Sequence, residues 1–176
     1  MLAFVKEFLA NASFDHRLAI RIESVSLSET VAHAAGQFQE AARRKQVVLR
    51  GVLPPENAVV EADPTALSQV LGNLLSNAVK FSPPGKEISI GVRSEDSYVE
   101  CYVQDQGPGF TEEDKTRMFQ RYGKLSAKPT GGEPSSWLGL SIVKKLVEAM
   151  GGAVTCESTA GSGARFTVRL PKALQH

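Results

Sequence analysis

Between Pro64 and Ser82 the apolar residues Leu67, Val70, Leu71, Leu74, Leu75 and Ala78 recur at three- and four-residue steps. That stripe predicts a helix laid on a core. Asn73, Asn77 and Lys80 recur at similar steps on another face, because such steps return to one side of a helix. Two amides and an ammonium there make either a solvated face or a ligand face. Asp63-Pro64 supplies an N-cap and a proline for the first turn, and Pro83-Pro84-Gly85 stops the helix near Ser82.

The same reading extends along the chain. Leu2, Val5, Phe8 and Leu9 have helical spacing, and Asn11 to Arg17 looks like a linker. Leu18 to Leu27 alternates as a strand. Ser26 with Glu29 marks a capping box for a helix through about Lys45. Val47 to Val52 and Ala58 to Glu61 are short strands joined by a turn at Pro54-Pro55-Glu56-Asn57. Glu87 to Arg93 and Tyr98 to Gln104 read as paired strands, the second delivering Asp105 at its end. Thr111 caps a short helix to Gln120. Arg121 to Ser136 is almost without apolar residues, and a loop this long in a domain is usually a lid or disordered. A last helix runs from Trp137 to Met150, stopped by Gly151-Gly152. A hairpin of Ala153 to Ser158 and Ala164 to Leu170 closes the sheet. Helices and strands alternate without strict βαβ periodicity, which suits a two-layer α/β sandwich.

Composition changes this picture little. The 176 residues are about one domain's worth. An apolar share of 42%, a charged share of 22% and a net charge of +1 describe an ordinary globular protein, with no electrostatic case for nucleic acid or an anionic membrane. No apolar run reaches the roughly 18 residues of a membrane span. Cys101 and Cys156 sit in strand-like runs without a CxxC spacing, which argues for buried thiols in a reducing cytosol. His16, His33 and His176 are scattered, so no metal is assigned to the protein's own side chains.

The stretch Asn73-Leu74-Leu75-Ser76-Asn77-Ala78-Val79-Lys80-Phe81-Ser82-Pro83 is followed by Asp105-Gln106-Gly107-Pro108-Gly109, and then by Leu138-Gly139-Leu140 opening a helix. As a set, and from about Val25 to Pro171, this resembles the ATP-binding domain of bacterial sensor histidine kinases. That family calls the three stretches the N box and the first and second glycine boxes. The resemblance implies a Bergerat-type ATP-binding fold of the GHKL superfamily, an α/β (α+β) two-layer sandwich with a mixed β-sheet covered on one face by helices. It also implies ATP with Mg2+ as cofactor and a cytoplasmic domain. On this reading, 1–17 is the tail of a preceding dimerisation helix with its linker, 18–171 is the catalytic domain, and 172–176 is a C-terminal tail.

Site residues follow by resemblance and agree with elementary chemistry. Asn73 to Lys80 spans roughly 10 Å of helix, the scale of a triphosphate. Asn77 is expected to ligate magnesium, since an amide oxygen is a hard donor that adds no charge beside phosphates. Asn73 would support it, and Lys80 and Lys124 would meet phosphate. Phe81 would cover base or sugar, or else be a core aromatic. Asp105 could accept from adenine's exocyclic amine, with Gly107 and Gly109 letting backbone approach. Phe119 and Tyr122 resemble the family's F box and would pack the lid's base, whereas Arg121 and Lys128 read as solvated charge. Superfamily relatives that hydrolyse ATP carry a glutamate at the place of Asn73. An amide cannot act as a general base at neutral pH, which favours phosphoryl transfer over hydrolysis.

The second glycine box departs from the family pattern. Where Gly-Leu-Gly-Leu is usual, the chain has Trp137-Leu138-Gly139-Leu140. Amides at that helix start, with Leu138, Gly139 and Leu140, would bind phosphate. Trp137 is expected to exclude the easy positive φ, so that the lid shifts or phosphate binding weakens; the alternative is that the indole stacks on Pro129, Pro134 or a partner surface. Neither His16 nor His33 has the surroundings of a phospho-accepting histidine. The implied activity is transfer of the ATP γ-phosphoryl group to a histidine on a dimerisation hairpin outside this chain, which then serves a response regulator receiver domain. The chain is expected to be monomeric and to touch neither nucleic acid nor membrane. The alternatives are a degenerate signalling module with weakened ATP binding, and a serine kinase of the anti-sigma-factor type.

Overall fold

A five-stranded sheet forms the platform under the site. The computed structural model describes residues 19–52, 58–121, 123–132 and 137–174. Its elements are β1 (Glu23–Ser26), α1 (Leu27–Arg44), β2 (Val48–Val52), β3 (Val59–Ala62), α2 (Pro64–Phe81), β4 (Glu87–Ser94), β5 (Tyr98–Asp105), α3 (Glu112–Arg117), α4 (Leu138–Ala149), β6 (Ala153–Ser158) and β7 (Ala164–Pro171). The strand order is β2-β4-β5-β7-β6. The β2–β4 pair is parallel and the other three pairs are antiparallel, so the sheet is mixed, as expected. The helix expected over 1–12, the linker through Arg17, the turn at 54–57, Tyr122, Pro134, His16 and His176 lie outside the described residues.

Period-two alternation decides which face is covered. Ile88, Ile90 and Val92 of β4, Val99, Cys101 and Val103 of β5, and Phe166, Val168 and Leu170 of β7 are all buried. Over them lie α1 on β2 and β4, α2 on β5, and α4 on β6 and β7. Helix α2 fills the middle of this layer. Leu67, Val70, Leu71, Leu74 and Leu75 are at most 1% exposed, and burying side chains of this kind stabilises by about 1.5–3 kcal/mol each. On the opposite face Tyr102 lies over Gly91, and the Arg165 guanidinium stacks on the Tyr102 ring at 3.9 Å.

Helix starts follow the local chemistry. Asp63 accepts from the Ala66 N–H at 2.9 Å ahead of Pro64. Ser26 accepts from the Glu29 N–H at 3.2 Å. Thr111 and Asp114 form a reciprocal capping box that starts α3.

Two details differ from the expectations. Among the described residues of the expected strand Leu18 to Leu27, Glu23–Ser26 is the part that pairs, with β3. And β2 and β3, adjacent in sequence, enter different sheets: β2 extends the large one, while β3 joins β1 in a two-stranded antiparallel sheet. Beyond β7, the Ala173 N–H reaches the Val59 carbonyl and Lys172 bridges to Val60, which ties the small sheet to the end of the large one.

Candidate functional site

The ends of α2 and β5 meet at one small cavity. Asn77, Phe81, Asp105, Pro108, Gly109, Phe110, Ala127, Ala164 and Phe166 line it. The N box and the first glycine box, separate in sequence, therefore share a wall. The second glycine box joins them one helical turn away, where the Asn73 Nδ2 points at the Gly139 carbonyl at 3.5 Å. A side chain at position 139 would stand 3.4 Å from the Asn73 amide.

Asp105 ends β5 with its carboxylate buried. Burial pushes its pKa up to about 6, against the lowering effect of the Gly107 and Ala164 N–H groups it accepts from. The Gly107 bond is 2.8 Å long. Gly107 has no room for a side chain, because a Cβ would lie 2.5 Å from the Phe81 carbonyl oxygen. Gly109 has φ +66° and backs onto the Thr159 and Gly163 carbonyls. Ser158 fastens this loop to the β6–β7 hairpin, accepting from the Phe110 N–H at 2.8 Å and donating to the Gly163 carbonyl at 2.6 Å.

Asn77 is half-buried, and its Nδ2 is fully buried with no hydrogen-bond partner. Native structures leave few such atoms. The amide's two ends exchange by a flip, so the same position can present an oxygen. An orphaned amide on a cavity wall fits a hard cation or polar ligand that completes its hydrogen bonding.

Other expected site residues stand elsewhere. Lys80 borders the groove between α1 and α2 with Phe38, Arg44, Lys45 and Ser76. At 100° per residue it sits 60° round the helix from Asn77, on the side of Ser76 rather than of Phe81. Its carbonyl and that of Val79 accept from the Lys45 ammonium at 2.5 and 2.8 Å. Lys124 is exposed and is not among the residues that line the cavity. Leu140 is a core residue, while Leu138 and Gly139 are half-buried at the start of α4. The stretch 123–132 has no helix or strand. It is pinned at Ser126, which donates its N–H and hydroxyl to Asp114, and at Thr130, whose N–H reaches the Lys80 carbonyl at 3.0 Å. Phe119 packs edge-on against Phe166 at 6.4 Å.

Trp137 overturns the expectation about its backbone. It adopts positive φ (+57°, ψ 4°) in spite of its side chain. Its indole stacks on Phe81, with centroids 4.6 Å apart and planes 15° from parallel, and meets Phe110 edge-on at 5.5 Å, two aromatic partners that the sequence reading did not name. The aromatic lining from Phe110 and Phe166 went unread in the sequence. The only signal was the alternation of β7, which places Phe166 on the inner face with Val168 and Leu170.

Residues 62–174 match the family described as histidine kinase-, DNA gyrase B-, and HSP90-like ATPase. The circadian input-output histidine kinase CikA of Synechococcus elongatus is 35% identical over 158 residues, which cover 89% of this chain and 21% of that protein. The chain thus spans about a fifth of that curated relative's length. Among solved structures, full-length ShkA in complex with AMPPNP has a TM-score of 0.83 at 27% identity, over 99% of this chain and 36% of that one. The nucleotide-free catalytic domain of histidine kinase ThkA gives 0.75 at 27%, over 86% and 98%. These relatives favour the histidine kinase reading over a serine kinase. Motif order, cavity geometry and family match agree: the chain belongs to the histidine kinase-, DNA gyrase B- and HSP90-like ATPase family, as a catalytic ATP-binding domain of the sensor histidine kinase type.

Proposed function

We propose that the cavity between α2 and the first glycine box takes the base of ATP, and that this chain positions the γ-phosphoryl group for transfer to a histidine on a dimerisation hairpin. The observation that carries this is the shared wall of Asn77 and Asp105. Asp105 accepts from the exocyclic amine of adenine, and Gly107 and Gly109 let the base approach the backbone. Asn77 and Asn73 point the phosphates along α2 toward Gly139. Asn77 is the residue to hold Mg2+, which when bound neutralises phosphate charge. Lys80 and Lys124 reach phosphate by extending their side chains from the rim. Phosphoryl transfer of this type has a loose transition state, so these residues contribute position and charge rather than covalent chemistry. With an amide at Asn73, no side chain there activates water, and the phosphoryl group goes to imidazole nitrogen. The ATP-binding unit is 18–171, it works on the cytoplasmic side, and the phosphorylated hairpin serves a response regulator receiver domain.

Calorimetric titration of the chain and of Asn77→Ala with Mg-ATP and Mg-GTP tests this, beside phosphotransfer to a separately supplied hairpin. Saturable binding of Mg-ATP over Mg-GTP, lost in Asn77→Ala, is expected. Equal binding of the two nucleotides would remove Asp105 as the base reader, and unchanged binding by Asn77→Ala would remove the metal role.

A further inference from the structure

The cavity beside Asp105 has a volume of about 10 Å³. That is room for about one water molecule, and a purine is several times larger. Two groups that would recognise a purine are in place, the Asp105 carboxyl and the Phe81 ring. One face of that ring is already taken by the Trp137 indole, in near-parallel stacking. This is the arrangement an aromatic base adopts on an aromatic side chain. Phe81, Phe110 and Asp105 are each under 9% exposed and held within helix, loop and strand. Trp137 is only half-buried and makes no side-chain cap bond to α4. It stands behind the wall rather than in it, seated by ring contacts with two lining residues, Phe81 and Phe110, so it has less to lose on leaving than they do.

We infer that the Trp137 indole is a built-in competitor for the base: indole and purine exclude one another on the Phe81 face, and Trp137 thereby sets nucleotide affinity. This rests on the nucleotide-site reading above and adds a determinant to it. Binding must first unstack the indole, and a site whose competent state is a minority binds more weakly by that fraction. Aromatic pairs of this geometry correspond to a weakening of about tenfold.

The chain has one tryptophan, so its fluorescence reports this residue alone. The test follows emission and calorimetric binding on adding Mg-ATP, with inorganic tripolyphosphate as a control that lacks a base. It compares the chain with Trp137→Gly and Trp137→Asn, two residues that tolerate φ near +57°, so that one reports if the other misfolds. Mg-ATP is expected to shift the emission to the red with a midpoint equal to the calorimetric Kd, tripolyphosphate is expected to leave it unmoved, and both variants are expected to bind Mg-ATP about tenfold tighter. Binding seen only in the variants supports the inference in its strongest form. Equal or weaker binding by the variants, or an unmoved emission at saturating Mg-ATP, overturns it while the nucleotide site stands. No binding by any of the three overturns the nucleotide-site reading and this inference with it.

Discussion

Asp105→Asn separates what this carboxylate costs the fold from what it does for a ligand. The buried carboxyl has its pKa raised to about 6, chiefly by burial, against about 4 in the unfolded chain. A raised folded pKa means that the native state holds its proton more tightly. The stability associated with that proton is complete below pH 4 and is lost as pH rises through 6. Two pKa units at about 1.4 kcal/mol each amount to about 3 kcal/mol lost by pH 7. Asparagine has nearly the shape of the protonated acid and cannot ionise. Its carbonyl oxygen can still accept from the Gly107 N–H, which the carboxylate now holds at 2.8 Å. The variant is therefore expected to match the parent chain near pH 4 and to exceed it by about 3 kcal/mol near pH 7.

Urea denaturation of both proteins at unit pH steps from 4 to 8 reads this directly, from midpoints at constant slope. In the same samples Mg-ATP binding should fall by at least about tenfold, since one charge-assisted hydrogen bond to the base is removed. A stability difference that stays flat from pH 4 to 8 would refute the burial argument. It would mean that water reaches Asp105 freely in the folded chain.

Two further perturbations probe the loop that Asp105 anchors. Gly107→Ala places a methyl group 2.5 Å from the Phe81 carbonyl and should cost about 1–3 kcal/mol, read as a fall in Tm of about 3–10 °C; an unchanged Tm would show that the loop yields freely. Ser158→Ala removes the hydroxyl that holds the Phe110 N–H and the Gly163 carbonyl, and should cost about 1–3 kcal/mol. Amide hydrogen exchange at Phe110 should quicken in that variant, and protection equal to the parent's would show that Ser158 is not the fastener.

The α2 stripe was legible because most of its large apolar residues recur on one helix face. Leu67, Val70, Leu71, Leu74, Leu75 and Ala78 are each buried where a 3.6-residue period puts them. The N-caps at Ser26, Asp63 and Thr111 were legible because capping is decided within four residues. The sheet assignments of β2 and β3 were not. Each is a short apolar run whose partner lies far along the chain, β4 for one and β1 with Lys172 for the other, and nothing local encodes that choice. The wheel that grouped Lys80 with Asn77 was too coarse to show that Lys80 also borders the groove between α1 and α2, 60° round the helix from Asn77. The backbone at Trp137 was misjudged because propensity argues against positive φ for a bulky side chain, while two aromatic contacts argue for it in the folded chain.

The residues least suited to a stable core gather at one place. Asp105 is a carboxyl buried among apolar neighbours, Asn77 has an unpartnered amide nitrogen, Gly107 and Gly109 face backbone where no side chain fits, and Trp137 sits in a conformation that disfavours it. Each violates a local rule that the rest of the chain obeys, and violations of that kind mark sites selected for something other than stability. Desolvated charge and an unmet amide weaken the empty fold but strengthen it once a ligand supplies the missing partners. The same residues should therefore make this domain markedly more stable with nucleotide than without. Trp137 partly offsets the deficit in the meantime by covering Phe81, so removing the indole should widen the gap between the empty and liganded Tm. A gap that narrows instead would place the indole in the liganded state as well, as a lasting wall of the site rather than its occupant.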